Sequence, residues 1–449
     1  MKNYTLLLCF ALLCLMGCKP KENVVKYTAQ DADYLHQCEK KLTDIIVIDI
    51  FSPPVSSRVY AYPLIAAYEA ARHAQKDSKS LMAQLKGFEA TPLPLTASSR
   101  QGGTVLEGQN YDFTLAAITA FCETALKVVF SKKEIKAFQE ELTQKLSNRN
   151  ENDVNERSIA FGKAIAEVAG KRIGSDNYKE TRGMERYEVQ TGKGLWVPTL
   201  PDYADAVEPH WRKMKNFVLD SAAQCKPTPP TPYSEDKNGP FWKELLEVYE
   251  TVNKITPEQD QITIFWDDNP FVSRHKGHLM FQDKKMTPGG HWLAITQLIC
   301  KEKKTDFVTT AKVYALTSVG LFEAFLSCWD EKYRSLRVRP ETVIKDKIEK
   351  DWKPYLVTPP FPAYTSGHST ISAAVAEILT AQFGDNITYT DTTEKEYGLP
   401  IRTFKSFREA ALQASISRVY GGIHFKSDCV AGNKQGIDVG KIVLSKVRL

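Results

Sequence analysis

The sequence lacks several features that would narrow its class at once. Basic residues exceed acidic ones by only five charges, and they are spread along the chain. This mild excess gives no reason to expect a nucleic-acid partner. No C-x-x-C pair occurs, so a cysteine-based zinc site is not expected. Strand signals are few and short. What is left is an ordinary globular composition, 449 residues and 43% hydrophobic, with ample material for a core.

The N-terminus carries an apolar run over residues 5–16, preceded by one lysine. The run is too short for a permanent membrane anchor and is typical of a secretion signal. The following residues, L-M-G-C at 15–18, resemble a bacterial lipobox, in which the cysteine is lipidated and becomes the mature N-terminus. We therefore expect a signal peptide over 1–18 and lipid on Cys18. A plain signal peptide with an incidental cysteine is the alternative.

Export would place the protein in the cell envelope, at the outer membrane or facing the periplasm. No later apolar run is long enough to span a bilayer, so the lipid is the expected membrane attachment. An exported protein could oxidise its remaining cysteines. Their apolar, helical surroundings favour buried thiols instead. These six cysteines are Cys38, Cys122, Cys225, Cys300, Cys328 and Cys429.

Helical periodicity dominates the chain, with apolar residues recurring at three and four over 58–76, 111–130, 132–148 and 154–173. Residues 174–240 are rich in proline and aromatics, and only a stretch near 211–219 suits a helix. A connection this long indicates a functional or packed surface excursion. Helical patterns then resume. We predict an all-α protein with an N-terminal region over 19–240 and a C-terminal catalytic region over 241–449.

Two of the helical stretches resemble each other. Residues 58–74 and 312–328 align without gaps: each opens with a basic residue and Val-Tyr-Ala, and each has an aromatic residue followed by Glu-Ala ten positions on. The similarity either arises by chance between amphipathic helices or marks equivalent helices in two packed bundles.

Three short pieces near the C-terminus combine charged and nucleophilic side chains. They are Lys332 with Arg339, the consecutive Ser366, Gly367 and His368, and Arg418 with His424 and Asp428. The three basic side chains match the charge of a tetrahedral oxyanion, since the arginine fork suits its oxygens and lysine adds a point charge. Ser366 can donate a hydroxyl, and Gly367 lets its backbone N–H come close. The helix that follows would direct its positive N-terminal end at the same anion.

The two histidines suit complementary roles. If the turn after His424 is helical, Asp428 shares its face and can hold the proton on Nδ1. The Nε2 atom is then free as a nucleophile or ligand. His368 is left for proton transfer on the opposite side of the anion. Each piece alone is a common motif, but their order and spacing together are specific.

The three pieces resemble the motif of the superfamily that unites type 2 phosphatidic acid phosphatases, bacterial class A acid phosphatases and vanadium-dependent haloperoxidases. The resemblance implies an oxyanion cradle of Lys332, Arg339, Ser366, Gly367 and Arg418. It implies that His424 bonds vanadium or phosphorus, that His368 is the acid–base residue, and that Asp428 orients His424. The family usually has proline before Ser-Gly-His, where this chain has Thr365; this changes the loop and not an anion contact.

The flanking text, "TPPFPAYTSGHST" and "SRVYGGIHF", is similar to the haloperoxidase branch. That branch implies two packed helical bundles of the haloperoxidase and acid phosphatase type. It also implies vanadate as cofactor, with peroxide and halide as substrates. The alternative is an acid phosphatase that hydrolyses phosphate monoesters through a phosphohistidine and needs no cofactor. A non-catalytic oxyanion-binding protein is a third possibility, although binding alone would not need both histidines.

Four further residues carry weaker signals. His278 and His291 lie in or beside the segment "MTPGGHW", and His291 is expected to be a loop histidine bonded to backbone, or else to line the site mouth. Asp267 and Asp268 are adjacent carboxylates on a loop. We expect them to face water rather than to bind a cation.

Overall fold

The computed structural model describes residues 27–94, 110–268 and 285–449, and the backbone of four short strands between these ranges. Within them the chain forms fourteen α-helices. These are α1 Ala29–Ile48, α2 Pro53–Ala71, α3 Phe113–Ala125, α4 Lys132–Ser147, α5 Asn152–Gly174, α6 Tyr178–Arg182, α7 Pro240–Asn253, α8 Pro257–Phe265, α9 Pro288–Lys303, α10 Phe307–Ser335, α11 Pro340–Lys347, α12 Gly367–Phe383, α13 Phe407–Tyr420 and α14 Lys426–Lys446.

The strands pair only as three short antiparallel ribbons in the described part of the chain. The ribbons are Arg100–Gln101 with Thr104–Val105, Ser273–Lys276 with Leu279–Gln282, and Tyr389–Asp391 with Arg402–Phe404. The prediction of an all-α protein is therefore confirmed.

The helices form two bundles that share the long helix α10. On one side α10 packs against α1 and α2, and α2 packs against α3 and α5. On the other side α10 packs against α12 and α14, and α13 completes the group. The predicted pair of packed helical bundles is confirmed. The division of the chain at residue 240 stays a prediction, and the main apolar core runs from Leu35 to Val447 across both regions.

The two similar stretches fall on α2 and α10, which pack against each other. Their matching glutamates are fully buried, and both accept hydrogen bonds from the backbone of a loop. Glu69 accepts hydrogen bonds from the backbone N–H groups of Leu81 and Met82. Glu323 accepts them from Phe217, Val218 and Leu219. Burial raises the pKa of Glu323. The shared task supports equivalent helices in the two bundles.

The proline-rich connection packs over one end of α10. The Val207 carbonyl accepts hydrogen bonds from Trp329 Nε1 at 3.2 Å and from the Tyr333 hydroxyl at 2.7 Å. The helix predicted near 211–219 is reduced to one 3₁₀ turn, Trp211–Lys213. It cannot extend further because the N–H groups of residues 217–219 are bound by Glu323. The short helix α6 was not predicted.

Helices α12 and α14 approach each other almost backbone to backbone. A Cβ added at Gly432, Gly436 or Gly440 on α14 would lie 2.0–2.9 Å from backbone oxygens near or on α12. Three glycines at a spacing of four share one face of a helix, so they form a continuous seam. The seam fixes the start of α12 against the start of α14.

Among the described residues, α10 is long and apolar enough to cross a bilayer, but 94% of its apolar window is buried within the protein. Such burial is typical of a core helix. The six cysteines are all buried and free, as their apolar surroundings indicated. Cys18 and His278 lie outside the described residues.

Candidate active site

The three predicted pieces meet where several helices end or begin. Lys332 lies in the last turn of α10, and Arg339 is the N-cap residue of α11. Ser366 is the N-cap residue of α12, so Gly367 and His368 lie in the first turn of that helix. Arg418 is in the last turn of α13, and Asp428 is in the first turn of α14. Helix ends carry unpaired backbone groups, which makes their junction suitable for a charged ligand.

The three cations are buried and bonded to backbone carbonyls. Lys332 Nζ donates to the carbonyls of Pro362, Ala363 and Thr365 at 2.9, 3.2 and 2.6 Å. Arg339 donates to Phe361 and Ile423, at 2.9 and 2.6 Å. Arg418 Nη1 donates to Trp266 at 2.8 Å. Carbonyl dipoles orient these side chains without cancelling their charge.

None of the three cations forms an ion pair with a carboxylate elsewhere in the described ranges. Burial lowers the pKa of Lys332 to about 7 and that of Arg339 to about 9. The pKa of Arg418 is also lowered by burial. Uncompensated buried charge is costly, and a multivalent anion among these groups would remove that cost.

His424 sits between Arg339 and a carboxylate. Its Nδ1 lies 3.1 Å from Asp428 Oδ2, and its Nε2 lies 3.1 Å from Arg339 Nη1. Burial, followed by the charge of Arg339, holds the pKa of His424 well below its usual range. The ring is therefore neutral, with its proton on Nδ1 toward Asp428. The Nε2 lone pair then faces the cations, as is required of a histidine that bonds the central atom of an oxyanion.

Asp428 is itself fixed from two sides. Its Oδ2 accepts the backbone N–H of Phe425 at 3.0 Å, and its Oδ1 accepts from Arg337 Nη1 at 2.5 Å. Arg337 also pairs with Glu244 at 2.5 Å. Arg337 and Glu244 were not predicted from the sequence. The one available signal was the position of Arg337, two residues before Arg339.

The Ser-Gly-His segment contributes a hydroxyl and a second imidazole. Ser366 Oγ accepts from Ser369 N and from Ser369 Oγ, so its own hydroxyl proton is the one that it can donate. His368 Nε2 is buried and has no hydrogen-bond partner among the residues described. Burial, followed by the charge of Arg418, places the pKa of His368 well below its usual range.

A cavity opens onto this junction. Gly367, His368, Arg418 and His424 contribute its polar side, and the rest is largely apolar. The other lining residues are Pro53, Asp268, Pro288, Phe325, Trp329, Pro359, Phe361 and Ile423. Four of the eight predicted site residues therefore line this cavity. Arg339 and Asp428 contact His424 in its wall, Ser366 precedes Gly367, and Lys332 bonds to the carbonyl of Thr365 just before them.

Comparison with known structures gives the family. A crystal structure described as the first bacterial vanadium-dependent iodoperoxidase superposes with a TM-score of 0.86 at 42% identity, over 94% of this chain and 98% of that one. This chain belongs to the vanadium-dependent haloperoxidase family. A family model described as the VCPO second helical-bundle domain matches residues 312–449, which contain all three predicted motifs.

More distant haloperoxidases share only the fold. A holo-type bacterial vanadium-dependent chloroperoxidase superposes with a TM-score of 0.63 at 16% identity, over 89% of this chain and 93% of the other. A search of curated protein sequences found no match.

The residues present fit the vanadate cofactor of the family. Vanadate is a tetrahedral oxyanion. Arg418 lines the cavity, and the buried side chains of Lys332 and Arg339 lie next to it, each without a carboxylate partner among the described residues. Arg418 Nε and His368 Nε2 are buried polar atoms with no hydrogen-bond partner among the described residues. His424 offers a neutral imidazole nitrogen as the ligand to vanadium. The individual roles of these residues stay predictions.

Around the haloperoxidase cavity, two expectations are wrong. Asp267 and Asp268 do not face water: both are buried, and Asp267 pairs with Lys285 at 3.0 Å. His291 is not a loop histidine bonded to backbone, and it does not line the cavity. It lies in the first turn of α9, and its Nδ1 contacts Asp268 Oδ1 at 3.1 Å. The other oxygen of Asp268 lies 3.7 Å from His368 Nε2.

Proposed function

We propose that this haloperoxidase is an envelope-anchored enzyme that oxidises iodide with hydrogen peroxide. Its cofactor would be vanadate held at His424. One observation carries the proposal. Three buried cations surround a neutral His424, and none of the three cations has a carboxylate partner among the described residues. A multivalent anion would compensate these buried charges, and vanadate supplies one.

When bound, vanadate supplies a Lewis-acidic centre that activates peroxide toward a halide. The chain supplies the rest. Asp428 holds the His424 tautomer, so Nε2 stays available. Lys332, Arg339 and Arg418 stabilise negative charge in a site where water is largely excluded. His368, neutral in the free protein, can accept a proton at Nε2 from incoming peroxide and return it to the leaving oxygen.

Two observations support iodide over lighter halides. The solved relative at 42% identity is described as an iodoperoxidase. The cavity beside His368 is lined by Phe325, Trp329 and Phe361, together with three prolines. An apolar wall cannot replace the hydration shell of a small halide, so the large and weakly hydrated iodide enters at the lowest cost.

The proposal is tested with purified protein loaded with orthovanadate. Triiodide formation and halogenation of a dione reporter are measured with iodide, bromide and chloride at equal peroxide. We expect efficient oxidation of iodide and at least tenfold lower efficiency with bromide. Equal efficiency with bromide would contradict the iodide assignment. Hydrolysis of phosphate esters by the vanadate-free protein, without halide oxidation, would support the phosphatase alternative.

The lipid anchor is proposed from the sequence at residues 15–18. Metabolic labelling with a radioactive fatty acid tests it directly in bacteria that express the full chain. Label should be lost in Cys18→Ser and kept in Cys14→Ser, a cysteine of the same signal segment. Equal labelling of both variants would overturn the assignment.

A further inference from the structure

A second group of polar side chains is buried behind His368. Asp268 follows α8, His291 lies on α9, and Asp391 and Glu394 lie on or just after the ribbon at 389–391. Each of the four is at most 3% exposed. The residues come from three separate parts of the chain, and none of them belongs to the oxyanion cradle.

The geometry of three of these residues is that of a ligand set. His291 Nδ1 lies 3.1 Å from Asp268 Oδ1 and 3.6 Å from Glu394 Oε1. The three ligand atoms all lie within 4.8 Å of one another. A tetrahedral ion with bonds of about 2.0–2.2 Å separates its ligands by about 3.3–3.6 Å. Small side-chain movements would therefore close the three atoms around one ion.

A second observation points independently to a ligand. Glu394 is 1% exposed, yet its Oε1 accepts no hydrogen bond from any described residue. That oxygen faces His291 Nδ1. Leaving a buried acceptor unsatisfied costs about 1–3 kcal/mol, so such an atom calls for a partner.

The fourth residue completes the pattern of a metal-bound histidine. Asp391 Oδ2 lies 3.0 Å from His291 Nε2. The other oxygen of Asp391 accepts from Thr393 N at 3.0 Å and Thr393 Oγ1 at 2.7 Å. A ligating histidine generally donates its second ring N–H to an oriented carboxylate of this kind.

Charge favours a cation here. Asp268, Asp391 and Glu394 all approach the single imidazole of His291 within 3.6 Å. The nearby Lys285 is engaged by Asp267. These three carboxyl groups surround one imidazole, and a divalent ion bound between them would displace the protons that the groups otherwise share.

We propose that Asp268, His291 and Glu394 form a second, buried metal site for a small divalent ion such as Zn²⁺, with Asp391 orienting His291. One imidazole and two carboxylates suit zinc in number and chemistry. Because Asp268 also faces His368 at 3.7 Å, an ion here would fix the wall of the active site from behind. Asp268 also lines the active-site cavity, whereas His291, Asp391 and Glu394 do not, and the ion would supply structure rather than a reacting atom.

The test measures metal content without any activity assay. The full chain is produced in zinc-supplemented medium without vanadate, purified in detergent and desalted, and its zinc is measured by mass spectrometry. The variants are Glu394→Gln, which keeps the shape of the side chain, and Asp391→Asn. The matched control is Glu396→Gln, two residues away on the same 3₁₀ turn and exposed.

We expect about one zinc per chain in the unmodified protein and in Glu396→Gln. Glu394→Gln and Asp391→Asn should each bind at least tenfold more weakly. Zinc should also raise the unfolding temperature of the unmodified chain more than that of Glu394→Gln. Absence of zinc from the unmodified protein, or equal zinc in Glu394→Gln, would overturn the proposal. Either result leaves vanadate binding at His424 untouched, because vanadate is absent from the assay.

Discussion

At the scale of single residues, the main feature of the site is that its three cations have no carboxylate partners among the described residues. Lys332, Arg339 and Arg418 are held by main-chain carbonyls. Asp428, whose charge acts on Lys332 and Arg339, is bonded to His424 and Arg337 instead. The anion-binding charge is therefore kept available while the histidine is oriented. This separation of tasks is what the geometry contributes beyond the motif itself.

Asp428 should act on the cofactor through His424. Asp428→Asn removes the charge that holds the His424 proton on Nδ1, so vanadate affinity should fall about 10–100-fold. The measurement is equilibrium dialysis against orthovanadate. Glu244→Gln is the control, because Glu244 contacts Arg337 but not His424. An equal loss in both variants would show that the effect comes from Arg337 packing and not from His424.

Lys332 should make vanadate binding dependent on pH. Burial lowers its pKa to about 7, so the amine of the free protein loses its charge as the pH rises through this value. Binding above pH 7 must then recover a proton, and affinity should fall by up to about tenfold per pH unit. Dialysis between pH 6 and pH 9 measures this slope.

The matched variant is Lys332→Gln, which keeps a donor for the surrounding carbonyls but carries no charge. Its vanadate affinity should be lower, and that affinity should fall less steeply as the pH rises. Titration of vanadate itself is common to both proteins and cancels in the comparison. Identical slopes would show that Lys332 does not titrate in this range.

Sequence spacing was sufficient to bring the eight motif residues to one place, because each motif occupies a helix end. It could not find Arg337, and although it singled out Asp268 and His291, it could not predict that they are buried and in contact. Arg337 contacts Asp428, 91 positions further along the chain. His291 contacts Asp268 and Asp391, which are 23 and 100 positions away. No local sequence pattern predicts contacts over such separations. Adjacent aspartates on a loop are usually solvated, and here tertiary burial overrode that rule.

At the scale of elements, the glycine seam between α12 and α14 determines how closely these two helices approach each other. A Cβ at Gly436 would lie 2.0 Å from the backbone oxygen of Thr370, which cannot move without shifting the start of α12. Gly436→Ala should therefore destabilise the protein by about 1–3 kcal/mol, as overpacking does. Chemical denaturation measures the change.

The control for the seam is Gly174→Ala at the end of α5, where an added Cβ meets nothing within 4 Å. This substitution should be neutral or stabilising by up to about 1 kcal/mol, because alanine loses less backbone entropy. Similar losses in both variants would show that the seam carries no special constraint.

Helix boundaries were predictable where local signals are strong. The stretch predicted at 132–148 is observed as Lys132–Ser147, and 154–173 as Asn152–Gly174. The stretch predicted at 58–76 instead begins at Pro53, because two prolines open the helix at its first positions. The failure at 211–219 has a tertiary cause, since Glu323 binds the N–H groups that a helix would use.

At the scale of the whole molecule, the two bundles share the same structural interaction. Each has a central helix whose buried glutamate binds the backbone of an incoming loop. The loop bound by Glu323 belongs to the connection whose earlier part, at Val207, covers the end of α10 near Lys332. The repeated scaffold thus contributes to enclosing the vanadate site, and one bundle supplies most of its chemistry.

The most direct test of the account is vanadium content and iodide oxidation measured on the same samples of unmodified protein, His424→Ala and His368→Ala. We predict about one vanadium per unmodified chain and iodide oxidation that requires it. His424→Ala should lose both, whereas His368→Ala should keep vanadium and lose most of the oxidation. Vanadium binding and full activity retained in His424→Ala would contradict the central claim that this histidine holds the cofactor.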